Sequence, residues 1–163
     1  MVVQPRIRQV ARAAVIAAVY AGLCLLLAPF SYGVIQVRVA EALTLLPMAW
    51  PEAVPGLAVG ALIANAVGPF GMVDVVLGTA ATTLAAWLTW MSARGGRRRL
   101  APLWPVIING LVVGAYVPFV AGLQVYFWTI PASMLSVAAG EAIAVYALGV
   151  PMMRALKRLG VIE

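Results

Sequence analysis

Gln36, Arg38 and Glu41 fall within six positions of one another in the stretch YGVIQVRVAEALTLLP, residues 32–47. Further along stand Asn65, Asp74, Asn109 and Glu141, each isolated among Ala, Val, Leu and Gly. A carboxylate accepts two hydrogen bonds side by side, an amide both donates and accepts, and a guanidinium offers donors in a fixed plane. Such a set suits a flat, polar or cationic ligand; a guanine-like ring, for example, presents its N1–H and exocyclic amine to one carboxylate. Tyr126, Phe127 and Trp128 could stack on such a ring or hold a cation.

Each group also has a purely structural reading. Arg38 and Glu41 are three apart, the spacing of an ion pair on one helix face. Asp74 immediately precedes an apolar run, so the expectation is a helix N-cap. Asn65 and Asn109 can fasten one helix to another, and the aromatic trio fits an interfacial belt. Glu141 could pair with Arg38, although a ligand-facing role is the expectation for a carboxylate set so far into an apolar run.

Several chemistries are excluded. The chain has no histidine and one cysteine, Cys24. That leaves no internal disulfide, no Cys/His zinc site and no His-based nucleophilic triad. Cys24, among Leu23, Leu25 and Leu26, reads as a packed small apolar residue. An Asp74/Glu41 acid–base or metal pair would need the His or acidic clusters that are missing. No cofactor or bound metal is expected. There is no phosphate-binding G-x-x-x-x-G-K-[ST] loop, so any ATP-driven step belongs to another subunit.

What must position these residues is a membrane bundle. Of 163 residues, 64% are hydrophobic and only 10% are charged, against about 25% charged in ordinary soluble domains. Mean hydropathy is +1.04. The length allows a single membrane domain over 1–163. Apolar segments run over roughly 10–30, 39–50, 53–68, 75–93, 102–121 and 130–151. A bilayer core about 30 Å thick takes about 20 helical residues. The second and third segments are short and separated by Pro47, Pro51 and Pro55, so they are either two crossings or one interrupted crossing.

The net charge of +6 is a topology signal here rather than a mark of nucleic-acid binding. Apart from Arg38, the cations fall in three clusters: Arg6, Arg8 and Arg12; Arg94, Arg97, Arg98 and Arg99; and Arg154, Lys157 and Arg158. Positive residues stay on the cytoplasmic side, so even numbers of crossings must separate the clusters. Four and two satisfy this, which makes six transmembrane helices with both termini cytoplasmic. The first apolar run is too long for a signal peptide and reads as an uncleaved span. With this orientation Gln36, Arg38, Glu41, Asn65, Asp74, Tyr126, Trp128 and Glu141 fall in the outer half of the membrane or at its edge, and Asn109 lies deeper. No internal repeat divides the spans into two similar halves. In the first span Ala14, Ala18 and Gly22 recur every four residues, as do Ala13, Ala17 and Ala21, which permits close helix approach from within the chain or from a partner.

The stretch at 32–47, with PGLAVGALIANAVGPFGMVDVVLGTAAT, PVIINGLVVG and AAGEAIAVYALG, resembles the QueT family over roughly residues 10–151. The run Q-x-R-x-A-E-A-L-T-x-L-P is its most specific motif, with Ala40 where the family more often has Ser. The resemblance implies a substrate-binding S component of an energy-coupling-factor (ECF) transporter: an all-α, six-helix bundle in the bacterial cell membrane. Its implied substrate is a queuosine precursor, a 7-deazaguanine base. Its implied partners are a transmembrane coupling subunit, docked on the small residues of the first helix (Ala14, Ala18 and Gly22), and two cytoplasmic ATPases. Gln36, Arg38, Glu41, Asn65, Asp74, Asn109 and Glu141 match the family's polar positions. On this reading Glu141 takes the guanidine-like edge of the base, and Asn109 and Asn65 satisfy other ring atoms. Trp128 or Tyr126 closes over the ring, and Glu41 or Asp74 neutralises an aminomethyl ammonium.

Overall fold

The computed structural model describes residues 5–28 and 38–162. The described residues form helices and no strand, as an all-α membrane protein requires. In chain order these are α1 (Pro5–Leu26), the 3-10 helix α2 (Val39–Met48), α3 (Ala53–Val67), α4 (Gly71–Arg94), α5 (Leu103–Val120) and α6 (Thr129–Arg158). α1, α4, α6 and the stretch ending in α5 are long and apolar enough to cross a membrane, while α2 and α3 are shorter apolar helices. Their outer faces carry exposed Val10, Val15, Leu111 and Leu135, as side chains bathed in lipid rather than water require.

Small residues set the packing. A Cβ added to Gly56 would lie 2.7 Å from the carbonyl oxygen of Ala13, and one on Gly60 would lie 2.9 Å from that of Ala17. Because 56 faces 13 and 60 faces 17, α1 and α3 run in the same direction. α2, which connects to α3 through a tight turn, must therefore return between them. The 39–68 stretch is thus two helices of opposite direction, not one interrupted passage. Gly110 against Ala138 and Gly114 against Met134 bring α5 and α6 together in antiparallel fashion. Gly96 and Gly122, both in the left-handed region (φ 76° and 67°), follow α4 and α5 and turn the chain where a side chain would be strained.

α2 is the hub. Residues Ala40 to Pro47 are all buried, and the helix packs against α1, α3, α4 and α6. Its core neighbours include Ile16, Tyr20, Cys24, Leu57 and Ala61. The three basic clusters meet at one end of the bundle. Arg12 Nη1 donates to Glu52 Oε1 at 2.7 Å and its guanidinium stands 4.4 Å over the Trp50 ring. Arg98, Arg154 and Lys157 line a cavity with Met48 and Ala49 at that same turn.

Candidate functional site

Every helix sends a polar side chain to one buried cluster. α1 contributes Tyr20, α2 Glu41, α3 Asn65, α4 Asp74 and Thr82, α5 Asn109 and Tyr116, and α6 Glu141. Arg38 enters from the residue preceding α2. Arg38, Glu41, Asn65, Asp74, Asn109 and Glu141 are each no more than 4% exposed. One cation thus faces three carboxylates.

Half of the cluster is tied together by its own hydrogen bonds. Arg38 Nη2 pairs with Asp74 Oδ2 at 3.3 Å, and its Nη1 donates to Asn65 Oδ1 at 3.4 Å. Asn65 Nδ2 in turn donates to Thr79 Oγ1 at 3.2 Å. Tyr116 donates to the second oxygen of Asp74. On the neighbouring side Tyr20 donates to Glu41 Oε1, which also accepts from Thr82 Oγ1 at 3.2 Å.

Two sequence expectations are corrected here. Arg38 and Glu41 do not form the expected helix-face ion pair: Glu41 is in no ion pair among the described residues. Arg38 has an extended backbone (φ −81°, ψ 93°) just outside α2, so its side chain leaves the face that spacing alone assigned to it. Nor is Asp74 an N-cap. α4 begins three residues earlier, at Gly71, and Asp74 has helical dihedrals and makes no cap bond. Its carboxylate is spent on Arg38 and Tyr116.

The other half of the cluster is open. Glu41 Oε2, Glu141 Oε2 and both amide atoms of Asn109 are buried with no hydrogen-bond partner. Asn109 stands close to both carboxylates, but none of its contacts reaches hydrogen-bond geometry. Leaving such groups buried and unpaired costs about 1–3 kcal/mol each. Two carboxylate oxygens and an amide converge here from α2, α5 and α6, a set whose acceptors a molecule with several N–H donors would satisfy. The helices are deformed beside it: α4 has a π turn at Asp74–Gly78 and α6 has one at Ile143–Gly149, beginning two residues after Glu141. Such insertions often mark functional positions in helices.

The model of the QueT transporter family matches residues 10–158. The chain belongs to the QueT transporter family. Comparison with individual curated proteins and with solved structures returned no match. QueT membership makes this chain a membrane transport protein rather than an enzyme, with a small molecule as its substrate.

Of the remaining expected QueT site residues, those that are described lie elsewhere. Gln36 falls outside the described residues. Tyr126 and Trp128 are about half exposed on the α5–α6 connection, stacked on each other with ring centroids 5.0 Å apart, and Phe127 meets Trp128 edge-on at 4.6 Å. Tyr126 donates to Gln124 Oε1 at 2.7 Å. They stand apart from the buried cluster in this conformation. On α1, Ala13 and Ala17 are used against α3, whereas Ala14 and Ala18 are exposed and a methyl group at Gly22 would meet nothing within 4 Å. Sequence reasoning missed Tyr20, Thr82 and Tyr116. The signal for Tyr20 was available: it shares a helical face with Ala13, Ala17 and Cys24, and a phenol in mid-span needs a partner.

Proposed function

We propose that the protein is the substrate-binding S component of an ECF importer and captures a queuosine precursor, a 7-deazaguanine base, in the buried cluster. The observation that carries this is the convergence of Glu41 Oε2, Asn109 and Glu141 Oε2 without partners. Glu141 and Asn109 meet the donor edge of the ring, and Glu41 takes the remaining N–H or an ammonium. Asn65, Asp74 and Arg38, tied to one another, hold the wall in register. Trp128 or Tyr126, on the α5–α6 connection, closes over the ring when it is bound.

In this reading the chain crosses the bacterial cell membrane six times with both termini cytoplasmic. The meeting of the basic clusters at one end supports that orientation. The coupling subunit docks on Ala14, Ala18 and Gly22, and the two ATPases supply the energy.

The test is titration of purified, detergent-solubilised protein with aminomethyl- and cyano-7-deazaguanine, guanine and a panel of vitamins. Saturable, tight binding of the deazaguanines, with the base recovered unchanged, is expected. A folded protein that binds none of them overturns the reading, and a preference for another heterocycle reassigns the substrate.

A further inference from the structure

At the end of the bundle opposite the open half of the polar cluster lies a second site. Arg98 comes from the α4–α5 connection, and Arg154 and Lys157 come from the last two turns of α6. They line one cavity of about 280 Å³, whose walls are Leu45, Pro102 and Met153. A second cavity of about 510 Å³ shares Arg98, Met48, Ala49 and Ile162 with the first and opens beyond it. Among the described residues, no acidic side chain lines either cavity. Glu52, two residues beyond Trp50, is already bonded by Arg12. Among the described residues the side chains of Arg98, Arg154 and Lys157 make no ion pair or hydrogen bond.

Cations gathered from two elements around an apolar-walled hollow differ from cations scattered over a helix surface. Each is held near the others, and among the described residues no carboxylate offsets their charge. The hollow therefore has the chemistry of a receptor for an anion that carries apolar substance. We propose that this cavity binds the headgroup phosphate of an anionic membrane phospholipid. Arg98, Arg154 and Lys157 take the phosphodiester, while Leu45, Pro102 and Met153 line the space for the glycerol and first acyl carbons. Exposed Leu100, Leu103 and Leu159 continue the apolar surface outward at this end. Basic pockets between helices at the membrane boundary hold lipid headgroups in this manner. The inference is independent of the substrate reading, since the cavity shares no side chain with the buried cluster.

The experiment is thermal unfolding of the full chain in an uncharged detergent during titration with short-chain phosphatidylglycerol, short-chain phosphatidylcholine or inorganic phosphate. A saturable rise in Tm on the order of 5 °C is expected at a hundredfold excess of phosphatidylglycerol over its Kd. Neither of the other two probes should produce it. The triple variant Arg98→Gln/Arg154→Gln/Lys157→Gln should bind phosphatidylglycerol at least about tenfold more weakly. An equal loss of charge outside the cavity, Arg6→Gln/Arg8→Gln/Arg99→Gln, should leave the response intact. Should the triple variant not fold, Lys157→Gln alone serves, with a smaller loss in the same direction. An equal response to phosphatidylcholine overturns the proposal, as does an equal response to inorganic phosphate, which would make this a site for free anions. A control variant that loses as much as the cavity variant also overturns it, because attraction is then diffuse.

Discussion

At the scale of single residues, the buried cluster separates side chains that are finished from side chains that are waiting. Asp74 has both oxygens engaged, by Arg38 and by Tyr116, whereas Glu141 has a buried oxygen with nothing to accept. Substitutions at the two sides should therefore part in their effects. Glu141→Gln is expected to weaken 7-deazaguanine binding at least about tenfold, or roughly 1.4 kcal/mol, with little change in Tm. Tyr116→Phe leaves a buried carboxylate short of a donor, at a cost of about 1–3 kcal/mol. Its Tm should fall by at least about 2 °C, while binding of the 7-deazaguanine should be retained. Unchanged affinity in Glu141→Gln would assign that carboxylate to packing. The polar residues themselves were legible in the sequence because each stands out against an apolar background. Their partners were not, since spacing describes one helix and Arg38 reaches two others.

At the scale of elements, the periodicity of apolar runs located the helices but not their changes of pitch. Asp74 looked like the start of a helix because the apolar run begins after it, while the chain in fact winds from Gly71 through a π turn. That turn brings Gly78 under the cluster. A Cβ there would lie 2.8 Å from Tyr116 Oη and 3.0 Å from Asn65 Nδ2, and would also strike Asp74. Gly78→Val is accordingly expected to lower Tm by several degrees (about 2–4 °C per kcal/mol) and to abolish ligand binding. Gly22→Val, where added atoms meet open space, should do neither. Equal stability of the two variants in a thermal unfolding assay would refute the tight fit around Asp74. Small residues announced close helix approach in the sequence; which of two Ala stripes on α1 faces inward depended on where α3 lies.

For the molecule as a whole, charge distribution carried most of the legible information. Three separated basic clusters implied an even return of the chain between them, and the folded bundle gathers them at one end. The two stripes of α1 then divide labour: Ala13 and Ala17 hold α3, while Ala14 and Ala18 remain on the outside. Ala14→Trp/Ala18→Trp should spare substrate binding by the isolated protein and abolish uptake in cells that supply the coupling and ATPase subunits. Retained uptake would remove the docking role from this face. Finally, the pitch of α2 has a mechanical meaning. Wound as a 3-10 helix, its ten residues reach about 20 Å, against about 15 Å as an α-helix. That extra length lets one short rod carry Glu41 in the polar cluster and still put Met48 into the wall of the cationic cavity. The two ends of the protein share a single strut, and an axial slip of that strut would be registered at both.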